Sequence, residues 1–191
     1  MFENTTKMRQ FMLPPKALSR RLFIGGVGAV ATCAATPLAA AHVPNLLSLR
    51  NLNTKESLDV VFRGPGGYDR HALAALNHML RDWRRDEIRP IDPKLFDIMV
   101  NRAARVGQPP CYSIISGYRS PETNAMLRRK GAGAAKRSLH ILGRAIDLRL
   151  KGTKLSALRR AALDLGAGGV GYYPGSNFVH VDTGDVRSWN G

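Results

Sequence analysis

The stretch from Ser138 to Leu148, SLHILGRAIDL, sets the pattern from which the rest of the chain is interpreted. Its second half alternates between apolar and polar residues, which predicts a strand with Asp147 on the face opposite the apolar side chains. Gly143 predicts a turn just before this strand, and His140 precedes that turn. An imidazole and a carboxylate would therefore meet on the side of the strand that faces away from the core.

A second alternating strand is predicted near the C-terminus, in the sequence FVHVD at residues 178–182. Its valines would face the core, while His180 and Asp182 would share the other face. With His140 and Asp147, His180 completes a set of two imidazoles and one carboxylate, which can hold zinc with an open fourth position for water. Thiolate ligands are absent from both segments, which argues against a structural four-cysteine site. From the pattern alone, each of these residues could also be an isolated polar side chain.

The N-terminal part of the chain has the features of an export signal. Five basic residues precede an uncharged stretch from Leu22 to Ala41, which ends in three alanines. The sequence SRRLFI at residues 19–24 resembles the twin-arginine signal, whose passengers cross the inner membrane already folded. We predict a cleaved signal over residues 1–41 and not a retained membrane anchor, because the apolar stretch is rich in Gly and Ala and only weakly hydrophobic. The remaining domain, residues 42–191, would be periplasmic and would not stay inserted in the membrane.

The composition limits the class of partner. The 191 residues include 29 Lys and Arg against 14 Asp and Glu, a net charge of +15, and 44% of them are hydrophobic. This apolar content excludes a disordered chain, and the length fits one domain with a tail. The charge favours a polyanionic partner such as nucleic acid, anionic lipid or an acidic wall polymer. The export signal argues against a nucleic-acid partner, because nucleic acid is scarce outside the cytoplasm. We expect the protein to be a monomer.

The remaining pattern mixes strands and helices without regular alternation, which favours an α+β fold over a doubly wound sheet. Helix-capping residues followed by apolar residues at helical spacing predict the helices, and short alternating or β-branched runs predict the strands. Strands are predicted at residues 46–52, 57–62, 112–116, 145–150, 170–173 and 178–183, and helices after Asp69, Asp92 and Ser120 and from Leu155.

The motif SxHxxGxAxD at residues 138–147 resembles the signature of the D-Ala-D-Ala metallopeptidase family, which includes zinc peptidases of the hedgehog and lysostaphin type. The blocks SGYRS at 116–120, GGVGYY at 168–173, HVDTG at 180–184 and RSW at 187–189 are similar to its murein endopeptidase branch. The resemblance covers about residues 46–189. It implies helices packed on a small antiparallel sheet, one Zn²⁺ ion, and hydrolysis of the peptide crosslinks between peptidoglycan stem peptides. Whether the enzyme is an endopeptidase or a carboxypeptidase stays open.

Carried over to this chain, the resemblance implies His140, Asp147 and His180 as the zinc ligands. It implies Arg119 as the residue that holds substrate and the negative charge that develops in the reaction, and Ser138 as a substrate contact. These roles are chemically sound. Zinc lowers the pKa of a bound water to about 7, which provides a nucleophile at neutral pH, and a guanidinium can stabilise an oxyanion.

One position departs from the family pattern. Many relatives place a catalytic Glu or Asp three residues before the last zinc-binding His, and this chain has Asn177 there. Asp182, on the same predicted strand face as His180, is the nearest carboxylate, and it could be either the general base or an acid that orients His180. A chain that lacks a base could instead be a noncatalytic peptidoglycan-binding domain that keeps the metal site.

Overall fold

The computed structural model describes residues 45–131 and 133–191. The predicted signal peptide at residues 1–41 lies outside the described residues. Within the described ranges, none of the helices is long and apolar enough to cross a membrane.

The strands of the described part form one sheet. They are β1 (Asn45–Asn51), β2 (Ser57–Gly64), β3 (Gly67–Tyr68), β4 (Cys111–Ser116), β5 (Ala145–Leu150), β6 (Gly169–Tyr173), β7 (Phe178–Asp182) and β8 (Arg187–Asn190). Their order across the sheet is β3-β2-β1-β4-β5-β7-β6-β8. The predicted mixture of helices and strands is confirmed, and the six predicted strands correspond to β1, β2 and β4 to β7.

The sheet is not the small antiparallel one that the resemblance implies. It has eight strands in the described residues, and β1 pairs with β4 and β6 with β8 in parallel. The other neighbouring pairs are antiparallel. A parallel pair needs a long connection between its strands, so the alternation within each strand could not reveal which partner it would have.

Four helices accompany the sheet in the described ranges: α1 (Arg70–Met79), α2 (Lys94–Arg105), α3 (Pro121–Arg129) and α4 (Leu155–Leu165). Side-chain caps begin two of them, as predicted. Asp69 Oδ1 accepts a hydrogen bond of 2.7 Å from the Ala72 N–H, and Ser120 Oγ accepts one of 3.1 Å from the Thr123 N–H. Gly166 ends α4 in the left-handed conformation, with φ of 60°.

The hydrophobic core lies on one face of the central strands. Leu47, Ile114, Leu148 and Val179 come from four successive strands of the sheet, and each is fully buried. Apolar side chains of α1, α2 and α4 belong to the same core. Because side chains alternate along a strand, the polar residues between these apolar ones lie on the opposite face of the sheet.

Candidate metal centre

Three of the residues singled out from the sequence meet on that opposite face. Asp147 on β5 lies directly opposite His180 on β7 in the antiparallel register, so their side chains are neighbours. His140 comes from a 3-10 turn, Leu139–Leu142, that leads into β5. Gly143 ends this turn with φ of 68°, a conformation that glycine adopts without strain. The turn thus brings His140 to the Asp147–His180 pair.

The possible ligand atoms of the three side chains are close to one another. His180 Nδ1 lies 2.9 Å from Asp147 Oδ1 and 3.1 Å from His140 Nε2. His140 Nε2 lies 3.3 Å from Asp147 Oδ1. Ligand atoms around a tetrahedral zinc ion with bonds of about 2.0–2.1 Å are separated by about 3.3–3.4 Å. The spacing therefore fits such an ion after shifts of a few tenths of an ångström.

The second nitrogen of each imidazole is already engaged. His140 Nδ1 donates to the Gly117 carbonyl oxygen at 2.7 Å, which leaves the lone pair of Nε2 facing the cluster. His180 Nε2 donates to Asp182 Oδ2 at 3.0 Å, which leaves Nδ1 facing the cluster. Metal-binding histidines nearly always have such a second partner, because it sets the tautomer and orients the ring.

The Gly117 carbonyl that orients His140 is itself held in place. A Cβ at Gly117 would clash with the Leu80 carbonyl oxygen, and the Tyr118 N–H donates to the same oxygen at 2.7 Å. Asp82, which is almost fully buried, accepts hydrogen bonds from the N–H and the hydroxyl of Ser120 at 2.9 and 2.8 Å. Sequence reasoning did not find Asp82 or Gly117, because their partners are remote along the chain.

The pKa values of His140 and Asp147 favour binding of a cation. Burial lowers the pKa of His140 to about 4, so its ring is neutral at pH 7. Burial alone would raise the pKa of Asp147, but its contacts with the two imidazoles hold that pKa well below the usual range. Burial opposes the charged form of His180, yet hydrogen bonds to Asp147 and Asp182 raise its pKa. A neutral imidazole at His140 and an ionised carboxylate at Asp147 are the protonation states that bind a metal ion.

Asp182 lies behind His180 and is fully buried. Its two oxygens accept hydrogen bonds from the N–H groups of Gly169 and Gly184 at 2.9 Å, from Arg187 at 2.7 and 3.1 Å, and from His180. Burial alone would raise the pKa of Asp182, but these donors hold it well below the usual range. A carboxylate with so many donors is suited to hold an imidazole, and it has little capacity left to accept a proton from water.

The two predicted substrate contacts lie at the cleft that contains the cluster. Arg119 Nη2 lies 3.5 Å from Asp147 Oδ2, and 12% of the side chain is exposed. Burial lowers the pKa of Arg119 from its ordinary value, although an arginine still carries its charge at neutral pH. Ser138 is half-buried and lines the same cleft, where it begins the turn that carries His140. The structure thus brings both residues to the three ligands.

Asn177, where the resemblance implies an acidic residue, does not line the cleft. It lies in the turn between β6 and β7 with φ of 53°, and its N–H donates to the Pro174 carbonyl oxygen at 3.1 Å. Asparagine tolerates this left-handed conformation better than most residues. In the described part of the chain, the carboxylates that line the cleft are those of Asp147 and Asp182.

Two aromatic residues of the cleft were given no role from the sequence. Trp189 lies on β8, and its ring centroid is 5.1 Å from that of His180. Its Nε1 donates to the hydroxyl of Tyr173 at 2.9 Å. The strand β8 was not predicted, because four residues with one large apolar side chain show no period. The RSW block was the signal that could have drawn attention to it.

Comparison with known proteins gives a consistent result. The protein family described as peptidoglycan L,D-endopeptidase MepK matches residues 39–189. The peptidoglycan L,D-endopeptidase MepK of Escherichia coli (strain K12) is 46% identical over 171 residues, which cover 88% of this chain and 94% of that protein. The probable peptidoglycan L,D-endopeptidase MepK of Haemophilus influenzae (strain ATCC 51907 / DSM 11121 / KW20 / Rd) is 44% identical over 149 residues, 78% of this chain and 80% of that protein.

Proposed function

Because the chain belongs to the family of the peptidoglycan L,D-endopeptidase MepK, we propose that it hydrolyses L,D peptide crosslinks of peptidoglycan at a zinc site formed by His140, Asp147 and His180. The chain is a metallopeptidase of the bacterial wall. The observation that carries the assignment of the site is that three ligand atoms converge, while the second nitrogen of each imidazole has its own acceptor. A bound zinc ion would supply a Lewis acid and a water of pKa near 7.

We assign to Arg119 the stabilisation of negative charge on the scissile carbonyl oxygen. Its guanidinium lies beside Asp147, at the edge of the ligand set, and its side chain is largely buried. A cation held in place before the reaction stabilises a developing oxyanion without reorganisation. Ser138 is the proposed substrate contact, because its hydroxyl does not cap the turn that it begins and it lines the cleft.

For Asp182 we favour the orienting role over that of general base. To act as the base, Asp182 would have to break one of its hydrogen bonds. The freed oxygen would then have to reach a water molecule from a fully buried position behind the His180 ring. As the orienting acid it needs no movement, because its hydrogen bond to His180 Nε2 is already formed.

The noncatalytic wall-binding alternative receives less support. Its basis is that Asn177 stands where the family pattern has an acidic residue, but Asn177 does not line the cleft that contains the three candidate ligands. The relatives that match most of this chain carry the name of an endopeptidase. We therefore propose a substrate of crosslinked stem peptides and a periplasmic location, in keeping with the predicted signal at residues 1–41.

The proposal is tested with purified protein and defined muropeptide dimers crosslinked through either L,D or D,D bonds. Mass spectrometry should detect monomers from the L,D dimer with zinc present, and no cleavage after chelation until zinc is added back. The His180→Ala variant should bind no zinc and leave the dimer intact. Cleavage of the D,D dimer alone would refute the L,D assignment. Sacculus binding without cleavage of either dimer would support the wall-binding alternative.

A further inference from the structure

The edge strand β8 lies one strand away from the ligand His180. β6 separates the two: Gly171 of β6 is opposite His180 of β7 on one side and opposite Trp189 of β8 on the other. Gly169 is likewise opposite Arg187. The side chains of Arg187 and Trp189 must therefore pass over β6 to reach β7.

The glycines of β6 make this passage possible. A Cβ at Gly169 would lie 2.5 Å from Arg187 Nη1 and 2.5 Å from Asp182 Oδ2. A Cβ at Gly171 would lie 2.7 Å from Trp189 Cε2. Neither glycine has a positive φ, so the requirement at these two positions is one of space. Any larger residue would displace the side chain that crosses above it.

The two crossing side chains hold His180 from different directions. Arg187 forms a bidentate ion pair with Asp182, with Nη2–Oδ2 of 2.7 Å and Nη1–Oδ1 of 3.1 Å, and Asp182 accepts from His180 Nε2. Trp189 packs its ring against the His180 ring at a centroid distance of 5.1 Å and an interplanar angle of 51°. The Arg187 guanidinium also lies 5.1 Å from the Trp189 ring centroid, so the two side chains support one another.

We propose that Arg187 and Trp189 are positioning residues for the metal ligand His180, and that Gly169 and Gly171 of β6 leave the space through which these two side chains reach the site. The inference rests on the proposed function, since it concerns the same site. Neither side chain forms a hydrogen bond with the candidate ligand atoms. Arg187 holds Asp182 in place, and Trp189 limits rotation of the His180 ring, so that Nδ1 faces the other two candidate ligands before an ion arrives.

The first test measures the zinc dissociation constant by competition with a chromogenic chelator. Loss of a group that supports a metal ligand typically weakens metal binding by about 10–100-fold, and we expect this of Arg187→Ala and Trp189→Ala. Trp189→Phe should restore most of the affinity, since it keeps a ring against His180. Arg187→Lys should restore little, since an ammonium group cannot form the bidentate pair. Gly171→Ala should resemble Trp189→Ala.

The chain offers matched controls at the other end of the sheet. Arg63 on β2 pairs with Asp97 at 3.0 Å, lies 5.7 Å from the Tyr68 ring centroid, and is 40% exposed, against 44% for Arg187. Arg63→Ala removes an ion pair and a ring contact of the same types. Because three strands separate β2 from β7, this change should leave zinc affinity unchanged. Gly64→Ala, where a Cβ meets open space, is the control for Gly171→Ala.

A second readout needs no metal. The N–H groups of Gly169 and Gly184 donate to Asp182 Oδ1, so their hydrogen exchange in chelator reports whether Asp182 is held. Arg187→Ala should accelerate exchange at both amides, and Arg63→Ala should not. Unchanged hydrogen exchange in Arg187→Ala would overturn the proposal. So would a zinc affinity within twofold of wild type in both Arg187→Ala and Trp189→Ala. A wild-type protein that binds no zinc would refute the proposed function, while the exchange result would still decide whether Arg187 holds Asp182.

Discussion

At the scale of single residues, the second nitrogen of each imidazole decides what the first can do. The Gly117 carbonyl and the Asp182 carboxylate each accept a hydrogen bond from one ring, so Nε2 of His140 and Nδ1 of His180 face the same point. The types of the ligands were evident from the sequence. Their tautomers were not, because the two acceptors lie on other parts of the chain.

Asp182→Asn separates the two roles of this residue. If Asp182 orients His180, the variant should bind zinc about 10-fold or more weakly and lose turnover in parallel, because an amide NH₂ would face the His180 N–H and the Arg187 donors. Chelator competition and muropeptide cleavage measure the two effects. Turnover lost at unchanged zinc affinity would instead identify Asp182 as the general base.

Arg119→Lys should not behave as a conservative change. An ammonium group lacks the paired donors of a guanidinium, and loss of an oxyanion donor typically lowers kcat by about 10²–10³-fold. Zinc affinity should be nearly unchanged. Arg81→Lys is the matched control, since Arg81 is 11% exposed and pairs with Glu56 outside the cleft. Equal rates for wild type and Arg119→Lys would remove the proposed role.

The pH dependence of stability should reveal the buried, neutral His140. Its pKa is 6.5 when unfolded and about 4 in the folded chain, so between these values the unfolded state binds the proton more readily. The melting temperature of the zinc-free protein should therefore fall as the pH is lowered from 6.5 to 4. The pKa of His180 is raised in the folded chain, so its effect on stability has the opposite sign. Its stabilising contribution is lost as the pH rises above 6.5.

Calorimetry of His140→Asn checks this assignment. The Asn amide nitrogen occupies the position of the imidazole Nδ1, so it can still donate to the Gly117 carbonyl but does not titrate. The melting temperature of this variant should therefore fall less than that of wild type over the same interval. Identical slopes for the two proteins would show that other groups cause the pH dependence.

At the scale of elements, the start of α3 links folding to the site. Ser120 caps this helix and also donates to Asp82, and the segment that precedes it contains Gly117. The cap was predictable from the sequence because Ser followed by Pro at the first helical position is a local signal. The connection to Asp82 was not predictable, since it joins residues 38 positions apart.

Ser120→Ala should therefore affect both stability and metal binding. Loss of a cap costs about 0.5–2 kcal/mol of unfolding free energy, measurable by urea titration. Because the same change loosens the segment that holds His140, zinc affinity should also fall. Asp69→Ala removes the cap of α1, away from the cleft, and should reduce stability alone. Equal zinc affinity in the two variants would contradict the link.

At the scale of the whole molecule, the sheet places the site on the face opposite the hydrophobic core. The candidate ligands come from β5, from its neighbour β7 and from the turn before β5, although His140 and His180 are 40 positions apart in the chain. The sheet also brings β8, at one end of the strand order, within reach of the cluster. The twin-arginine route stays a prediction, because its signal at residues 19–24 lies outside the described residues.

Replacing both Arg20 and Arg21 with Lys tests this export route. The unprocessed chain should then accumulate in the cytoplasm, as followed by cell fractionation and immunoblotting. Wild type should appear in the periplasm at the size expected after cleavage near Ala41. Normal export of the double variant would refute the twin-arginine route and leave an ordinary secretory signal as the explanation.

The sequence by itself determined the mixed fold class, six of the strands, the helix starts and the identity of the candidate ligands, because these depend on local chemistry: alternation, capping residues and a short motif. Only the tertiary structure decided that the sheet is mixed, that Asp182 is enclosed by donors, and that Arg187 and Trp189 reach across two glycines to His180. These features depend on which strands become neighbours. That choice is made by burial over the whole domain, and no segment of the chain contains it alone.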